Sequence, residues 1–404
     1  MTKPRILFMA PVEPWCRENG SSVIIADLLE GLAAVDSTDV SPVFVRRPPP
    51  GYHRRVPPGL EGELLDMEGL PRWMSIVGAT FRGSTPMRMR FDNGRVAEAV
   101  ERTLRARDFH PDVVHVEHLP LLDIGLKVAR KHRVPLVFRS HNVESQLWER
   151  RLGRAGPVGR AFIRKMEAEE ADASRQAQLT LCISEADLAW VRERALGAAS
   201  RLLPGALLME RYDAVVRQAA PSDPQICFVG GLDWAPNEAG LHWLVHEVLP
   251  RITALDASVR LAVLARGAQE RRWVREHPAV RIVPAETNAA MLFATSRASV
   301  APLLQGGGVR IKIPESLALG CPVVATPVGA EGHTLPGLTV TNDPSRFAEA
   351  CVHHATHPLG DNERRALRNA VSAVHDARDL AAKLSSWWTE LARSPSLQSS
   401  GTDI

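Results

Sequence analysis

Short apolar runs rich in β-branched residues alternate with longer segments of helical period along nearly the whole chain. Runs that are apolar on both faces suit parallel strands, and the helical segments between them suit the crossovers such a sheet requires. In the first half the pattern predicts strands at 5–10, 40–45, 112–116, 136–139, 179–183 and 201–203. Helices are expected at 21–35, 93–107, 121–132, 159–176 and 185–196. The prolines of 47–59, RPPPGYHRRVPPG, serve neither helix nor central strand and mark a surface loop. At 204–224 the periodicity changes, and APSDP reads as a linker. A second series then predicts strands at 226–229, 260–264, 280–283, 298–301, 322–326 and 338–340, with helices at 237–254, 269–277, 289–295, 311–319, 344–356 and 362–375.

The pattern implies an α/β protein of two Rossmann-like, doubly wound parallel-sheet domains facing each other across a cleft, with ligands at the carboxyl ends of the strands. The expected boundaries are 1–205 for an N-terminal acceptor-binding domain, 206–224 for a hinge and 225–375 for a C-terminal nucleotide-binding domain. An amphipathic helix at 376–393, carrying Trp387 and Trp388, is expected to pack back on the fold, and 394–404 reads as a disordered tail.

A length of 404 residues suits two domains, and 45% apolar with 24% charged residues is the balance of a soluble globular protein. No apolar run approaches the roughly 18 residues of a membrane span, and the chain leads directly into a strand without a signal-peptide pattern. Five scattered cysteines in apolar runs read as core residues of a reduced, cytoplasmic protein. Cys351, His353, His354 and His357 cluster, but no carboxylate is spaced to complete a metal site, so no metal is expected. The net charge of +3 is uneven: residues 1–205 hold 30 Lys/Arg against 26 Asp/Glu, and 206–404 hold 19 against 20. The basic pairs Arg46-Arg47, Arg54-Arg55 and Arg88/Arg90, with clusters at 102–107 and 150–154, read first as a solvated surface. The functional alternatives are peripheral contact of the N-terminal domain with the inner face of the cytoplasmic membrane, or attraction of a phosphorylated acceptor. With only 5% aromatic residues and none interleaved with the basic clusters, no nucleic-acid partner is expected.

The densest chemistry lies in PLLQGGGVRIKIPESLALGCPVVATPVGAEG, residues 302–332. Gly306, Gly307 and Gly308 lead into a helix that carries Arg310, Lys312 and Glu315. Exposed amides at a helix N-terminus and two cations attract phosphate oxygens, while a carboxylate one turn further in accepts from hydroxyls. A diphosphate followed by a ribose has that polarity; the structural alternatives are a flexible turn, a surface cation pair and an internal salt bridge. His141 follows the strand at 136–139 and Glu117-His118 follow the one at 112–116, both where ligands approach such sheets, and Glu117 and His118 are candidates for the acceptor. Backbone-bonded histidines, and helix capping by Asn142 and Glu144, are the alternatives. Trp234 and Asn237 sit where a base or ribose would lie, although Trp-Ala-Pro-Asn is also an ordinary helix lead-in. A G-x-x-x-x-G-K-[ST] phosphate loop, a G-x-S-x-G elbow and a G-x-G-x-x-G fingerprint are all absent, which excludes the usual kinase, hydrolase and dehydrogenase readings.

The 302–332 segment and ICFVGGLDWAPNEAGLHWLVHEVLP at 226–250 together resemble the donor domain of family-4 glycosyltransferases with the GT-B fold, in the branch of bacterial exopolysaccharide and glycan sugar transferases. In the first half PVEPWCRENGSSVIIADLLEGL, FRSHNVESQLW and LTLCISEADLAWV resemble the first glycine loop, a strand-end His-Asn segment and the turn before the hinge. The resemblance implies that Glu315 binds the ribose, that Arg310 and Lys312 face the diphosphate, and that Gly230 and Gly231 close on the phosphates. It also implies that Gly307 and Gly308 lie beside the donor sugar, that His141 lies near that sugar, and that Asn19 and Gly20 form the first loop. Two positions depart from the family pattern. Gly307 stands where many members carry a sugar-contacting glutamate, and the hinge reads Pro204-Gly205-Ala206-Leu207-Leu208 instead of Asn-Gly-Val-Asp. The implied activity is transfer of a hexosyl group from a nucleotide-diphosphate sugar to a glycan, lipid-linked or small-molecule acceptor, without metal or other cofactor and with retention of configuration. A sugar-nucleotide epimerase and a non-catalytic nucleotide-sugar-binding protein are the alternatives.

Overall fold

β-branched and aliphatic side chains fill the strands of two sheets because parallel strands covered by helices on both faces have no solvent side. The computed structural model describes residues 2–17, 19–47, 56–71, 74–75, 84–91, 93–152, 156–219, 224–284 and 287–393. The chain divides into two units: unit 1 is Met1–Ala206 with Ala377–Ile404, and unit 2 is Leu207–Asp376.

Unit 1 is built on a seven-stranded sheet in the order β3-β2-β1-β4-β5-β6-β7, comprising Arg5–Val12 (β1), Asp39–Arg46 (β2), Glu63–Leu64 (β3), Val113–Glu117 (β4), Leu136–Ser140 (β5), Leu179–Cys182 (β6) and Ser200–Leu202 (β7). Every pairing is parallel, and β1 pairs with both β2 and β4, so the strand order reverses direction at the β1/β4 seam. Ile6 to Ala10 are wholly buried. The Ala377–Arg393 helix belongs to this unit and packs on the Gly20–Val35 helix, close enough that a Cβ on Gly31 would stand 2.4 Å from the Ala377 carbonyl oxygen.

Unit 2 holds a six-stranded parallel sheet in the order β10-β9-β8-β11-β12-β13. Its strands are Gln225–Val229 (β8), Arg260–Leu264 (β9), Val280–Ile282 (β10), Ala298–Ala301 (β11), Val323–Ala325 (β12) and Leu338–Val340 (β13). The reversal here falls at β8/β11.

Several elements differ from the pattern-based expectation. The 206–224 segment contains a helix, Met209–Gln218, whose Met209, Tyr212 and Val215 are buried. Its three-to-four spacing of apolar residues is masked in sequence by the flanking prolines. A helix outside the predicted spans, Glu144–Leu152, is held at its start by the Glu170 carboxylate, which accepts from the Glu144 and Ser145 amides at 2.5 and 3.1 Å. The segment expected as one helix at 237–254 is interrupted by a π turn, Leu244–Val248, before Pro250, and only Arg272–Arg275 of 269–277 is helical. The last eleven residues, most of the 47–59 loop with Arg54-Arg55, and Arg154 lie outside the described residues.

Candidate active site

Ligands of doubly wound sheets bind where neighbouring connections leave in opposite directions. In unit 2 that seam carries the glycine pair after β8 and the Gly306–Gly308 turn after β11. Asn237 reaches back so that its amide donates to the Gly231 carbonyl at 3.0 Å, and a Cβ on Gly230 would come within 2.7 Å of that amide. Lys312 Nζ donates to the Val229 carbonyl at the end of β8 at 3.0 Å and to Asn237 Oδ1 at 3.4 Å. Gly306 and Gly308 take φ of 107° and 87°, left-handed values open to glycine at little cost. The turn they make brings Arg310 over the Trp234 ring, 5.1 Å from its centroid, while Arg310 Nη1 donates to the Gly307 carbonyl at 2.6 Å. The structure therefore brings together Gly230, Gly231, Trp234, Asn237, Arg310 and Lys312.

Glu315 lies one turn along and accepts from the Tyr212 hydroxyl at 3.0 Å. The helix spans Lys312–Ala318; the Ile313 amide donates to the Arg310 carbonyl, and Pro314 has no amide hydrogen to offer. The helix terminus therefore presents fewer bare amides than its sequence suggests, and Arg310 lies before the helix instead of on it. Burial, and then the Arg310 charge, lower the Lys312 ammonium to about 7. His333 donates from Nε2 to the Arg310 carbonyl at 3.0 Å, and burial followed by neighbouring His375 depresses it to about 4.

In unit 1 the carboxyl ends of β4 and β5, next to the β1/β4 seam, hold a buried ionic network. Glu117 Oε1 accepts from His115 Nε2 at 3.1 Å and from Arg139 Nη1 at 3.3 Å, and its Oε2 accepts from His141 Nε2. Arg139 also donates to the Pro204 carbonyl at 3.0 Å. Burial would raise the Glu117 carboxyl, but the charge of Arg139 and the histidine hydrogen bonds hold it well below the ordinary range. His141 is lowered by burial, an effect Glu117 only partly offsets, so it is a neutral imidazole whose Nε2 proton is held by the carboxylate. Its Nδ1 is then an acceptor and faces Ser21 Oγ at 3.3 Å.

His118 stacks on His141 with ring centroids 3.8 Å apart, and its Nε2 meets Ser21 Oγ at 2.6 Å. Its backbone is held at φ 71° and ψ 144°, which is rare for a residue with a Cβ, while its amide donates to the Arg139 carbonyl. Such backbone strain concentrates at functional sites. A cavity of about 210 Å³ opens beside His118 and His141.

The expected residues thus fall into two groups, one in each unit. Glu117, expected at the acceptor, is fully buried at the centre of the ionic network with its Oε2 bonded to His141. Asn19 caps the Gly20–Val35 helix by accepting from the Ser22 amide, and Gly20 is that helix's first residue. Pattern reading missed Tyr212, Ser21, Arg139, His115 and His333. Only the strand-interior polar residues of VVHVEHLP and VFRSHN, His115 and Arg139, left a visible signal, since a charge inside a buried strand needs a partner. Among the described residues no group of three or more His, Cys, Asp or Glu is arranged to hold a metal ion, and no helix is long and apolar enough to cross a membrane.

Comparison with known proteins follows the same division. The sequence family described as Glycosyl transferases group 1 matches residues 223–357, and the one described as Glycosyltransferase Family 4 matches residues 19–202. No curated protein matches the chain by sequence. Among solved structures, sucrose-phosphate synthase from Thermosynechococcus elongatus superposes with a TM-score of 0.69 at 15% identity, covering 96% of this chain and 99% of that one. HepE from Anabaena, in complex with UDP and glucose, gives 0.60 at 15% identity, covering 96% and 100%. The catalytic domain of starch synthase IV from Arabidopsis thaliana, bound to ADP and acarbose, gives 0.61 at 13% identity, covering 97% and 100%.

Proposed function

Because the chain belongs to the group 1 and family 4 glycosyltransferases of GT-B fold, we propose that unit 2 binds the nucleotide-diphosphate sugar and unit 1 the acceptor. The sugar moves without a metal ion and with retention of configuration. The observation that carries this reading is the convergence of Arg310, Lys312, Trp234 and the two glycine turns on one seam of the unit 2 sheet. The bond between the anomeric carbon and the diphosphate oxygen breaks with its electron pair going to the diphosphate. Arg310 and Lys312 stabilise the charge that develops there, in place of a divalent cation. The acceptor hydroxyl adds to the face the diphosphate leaves and gives its proton to the departing oxygen.

Glu315, oriented by Tyr212, accepts from the ribose hydroxyls, and His141, held neutral and oriented by Glu117, donates or accepts at the sugar hydroxyls. The resemblance of the glycine-rich segment to exopolysaccharide transferases supports a glycan or lipid-linked acceptor. The test is nucleoside diphosphate release from UDP-, ADP-, GDP- and dTDP-sugars in EDTA, with the sugar product examined for epimerisation. One donor is expected to react in EDTA without epimer, and the Arg310→Ala protein to lose at least about 100-fold in rate. Full turnover in that variant, or an epimer as the product, contradicts the reading.

A further inference from the structure

The cavity in unit 1 carries a feature that donor chemistry does not explain. It lies at the carboxyl ends of β1, β2, β4 and β5 and is lined by His118, His141, Arg46 and Arg90 among others. Most described arginines of the neighbouring basic clusters are neutralised locally. Arg47 pairs with Asp66 at 2.9 Å, Arg107 with Glu63 at 2.9 Å, Arg105 with Glu101 at 4.0 Å, and Arg88 with Asp123. Among the described residues neither Arg46 nor Arg90 has a carboxylate partner, and the Arg46 Nε is buried without a hydrogen bond.

We propose that Arg46 and Arg90 form a subsite for a phosphate group of the acceptor, so that this transferase acts on a phosphorylated acceptor. The assignment rests on the reading of unit 1 as the acceptor side. Two guanidinium forks match the three terminal oxygens of a phosphate monoester better than a single lysine would. Two like charges facing one cavity also leave an anion as the natural third party: burial, and then the charge of Arg46, already lower the Arg90 guanidinium. His118 and His141 are both depressed and neutral, so they add hydrogen bonds and no competing charge. Glu144 is the carboxylate on the wall and suits an acceptor hydroxyl. About 210 Å³ is below the roughly 300 Å³ of pockets that enclose a whole drug-sized ligand, so the cavity takes the phosphate-bearing end of the acceptor and leaves the rest outside.

The test is site-resolved arginine modification. The whole protein is treated with phenylglyoxal, and labelling of Arg46 and Arg90 is read by peptide mass spectrometry. Labelling is compared in chloride and in inorganic phosphate, glucose 6-phosphate or a short-chain prenyl phosphate at matched ionic strength, with glucose as the uncharged control. Phosphate and at least one of the two phosphomonoesters are expected to slow labelling of both arginines several-fold, while glucose does not. Protection by glucose 6-phosphate assigns a soluble sugar phosphate, and protection by the prenyl phosphate assigns a lipid carrier. In Arg46→Gln, protection of Arg90 is expected to require at least about tenfold more ligand. Equal labelling in chloride and in every phosphate compound overturns the proposal, as does undiminished protection of Arg90 in Arg46→Gln. Binding of a nucleoside diphosphate, followed separately by calorimetry in the Arg46→Gln/Arg90→Gln protein, is expected to be unchanged. Loss of nucleotide binding in the wild type would instead strike the donor reading and leave the protection result standing.

Discussion

The two sheet seams place charge in opposite ways. In unit 1 the charges are sealed: Glu117 and Arg139 are both fully buried, partner each other, and are closed over by His115 and His141. In unit 2 two cations stand side by side at glycine turns, and the Lys312 ammonium rests on neutral oxygens of Val229 and Asn237. A balanced buried network fixes geometry, because each member is held by the others and removing one strands a charge. Two neighbouring cations, one of them resting on neutral oxygens, suit an anionic ligand on the proposed reading. Unit 1 thus orients a neutral imidazole, and on the proposed reading unit 2 receives a diphosphate.

The contrast breaks most sharply through stability. Glu117→Ala leaves Arg139 buried and uncompensated and is expected to cost about 3–5 kcal/mol in urea denaturation; a cost under about 1 kcal/mol would mean that the network is not sealed. Arg310→Ala is expected to do the reverse, leaving the circular dichroism spectrum unchanged while slowing nucleoside diphosphate release by about 10²–10³-fold, or roughly 2.7–4 kcal/mol.

A pH series sharpens the comparison further. Lys312 sits at about 7 in the free protein, and a bound diphosphate favours its charged form and raises it. Binding above that pH must therefore recruit a proton. Affinity is expected to be highest below about pH 7 and to fall by up to tenfold per pH unit from 7 to 8.5, with the slope abolished in Lys312→Met. The smallest effect is expected from Tyr212→Phe, which removes one hydrogen bond to Glu315 and should weaken nucleotide binding by about 0.5–1.5 kcal/mol, with stability little changed. Unaltered affinity would remove Tyr212 from the site.

Much of the fold was legible because its rule is local. Runs such as ILFMA and LAVL are apolar on both faces, as strands of a parallel sheet covered by helices on both sides require. The expected strands at 260–264, 298–301 and 338–340 coincide with those in the structure. What stayed hidden depends on tertiary partners. The Glu144–Leu152 helix, ESQLWERRL, has little apolar period, and the buried Glu170 carboxylate more than twenty residues away secures its start. Glu63–Leu64 is a strand only because β2 lies beside it. The proposed donor residues stand out in the sequence because Gly306 to Glu315 lie within one short stretch. The Tyr212–Glu315 and Ser21–His118 contacts span 103 and 97 residues, and no spacing rule reaches that far.

The account stands most directly on isothermal titration of UDP, ADP, GDP and dTDP into the wild-type protein and the Arg310→Ala protein, in EDTA at pH 6.5. It predicts that at least one nucleoside diphosphate binds the wild type with one site per chain, and that Arg310→Ala weakens that binding by at least about tenfold, or 1.4 kcal/mol. Binding of none of the four by the wild type, or equal binding by both proteins, would contradict the claim that the unit 2 seam receives a diphosphate.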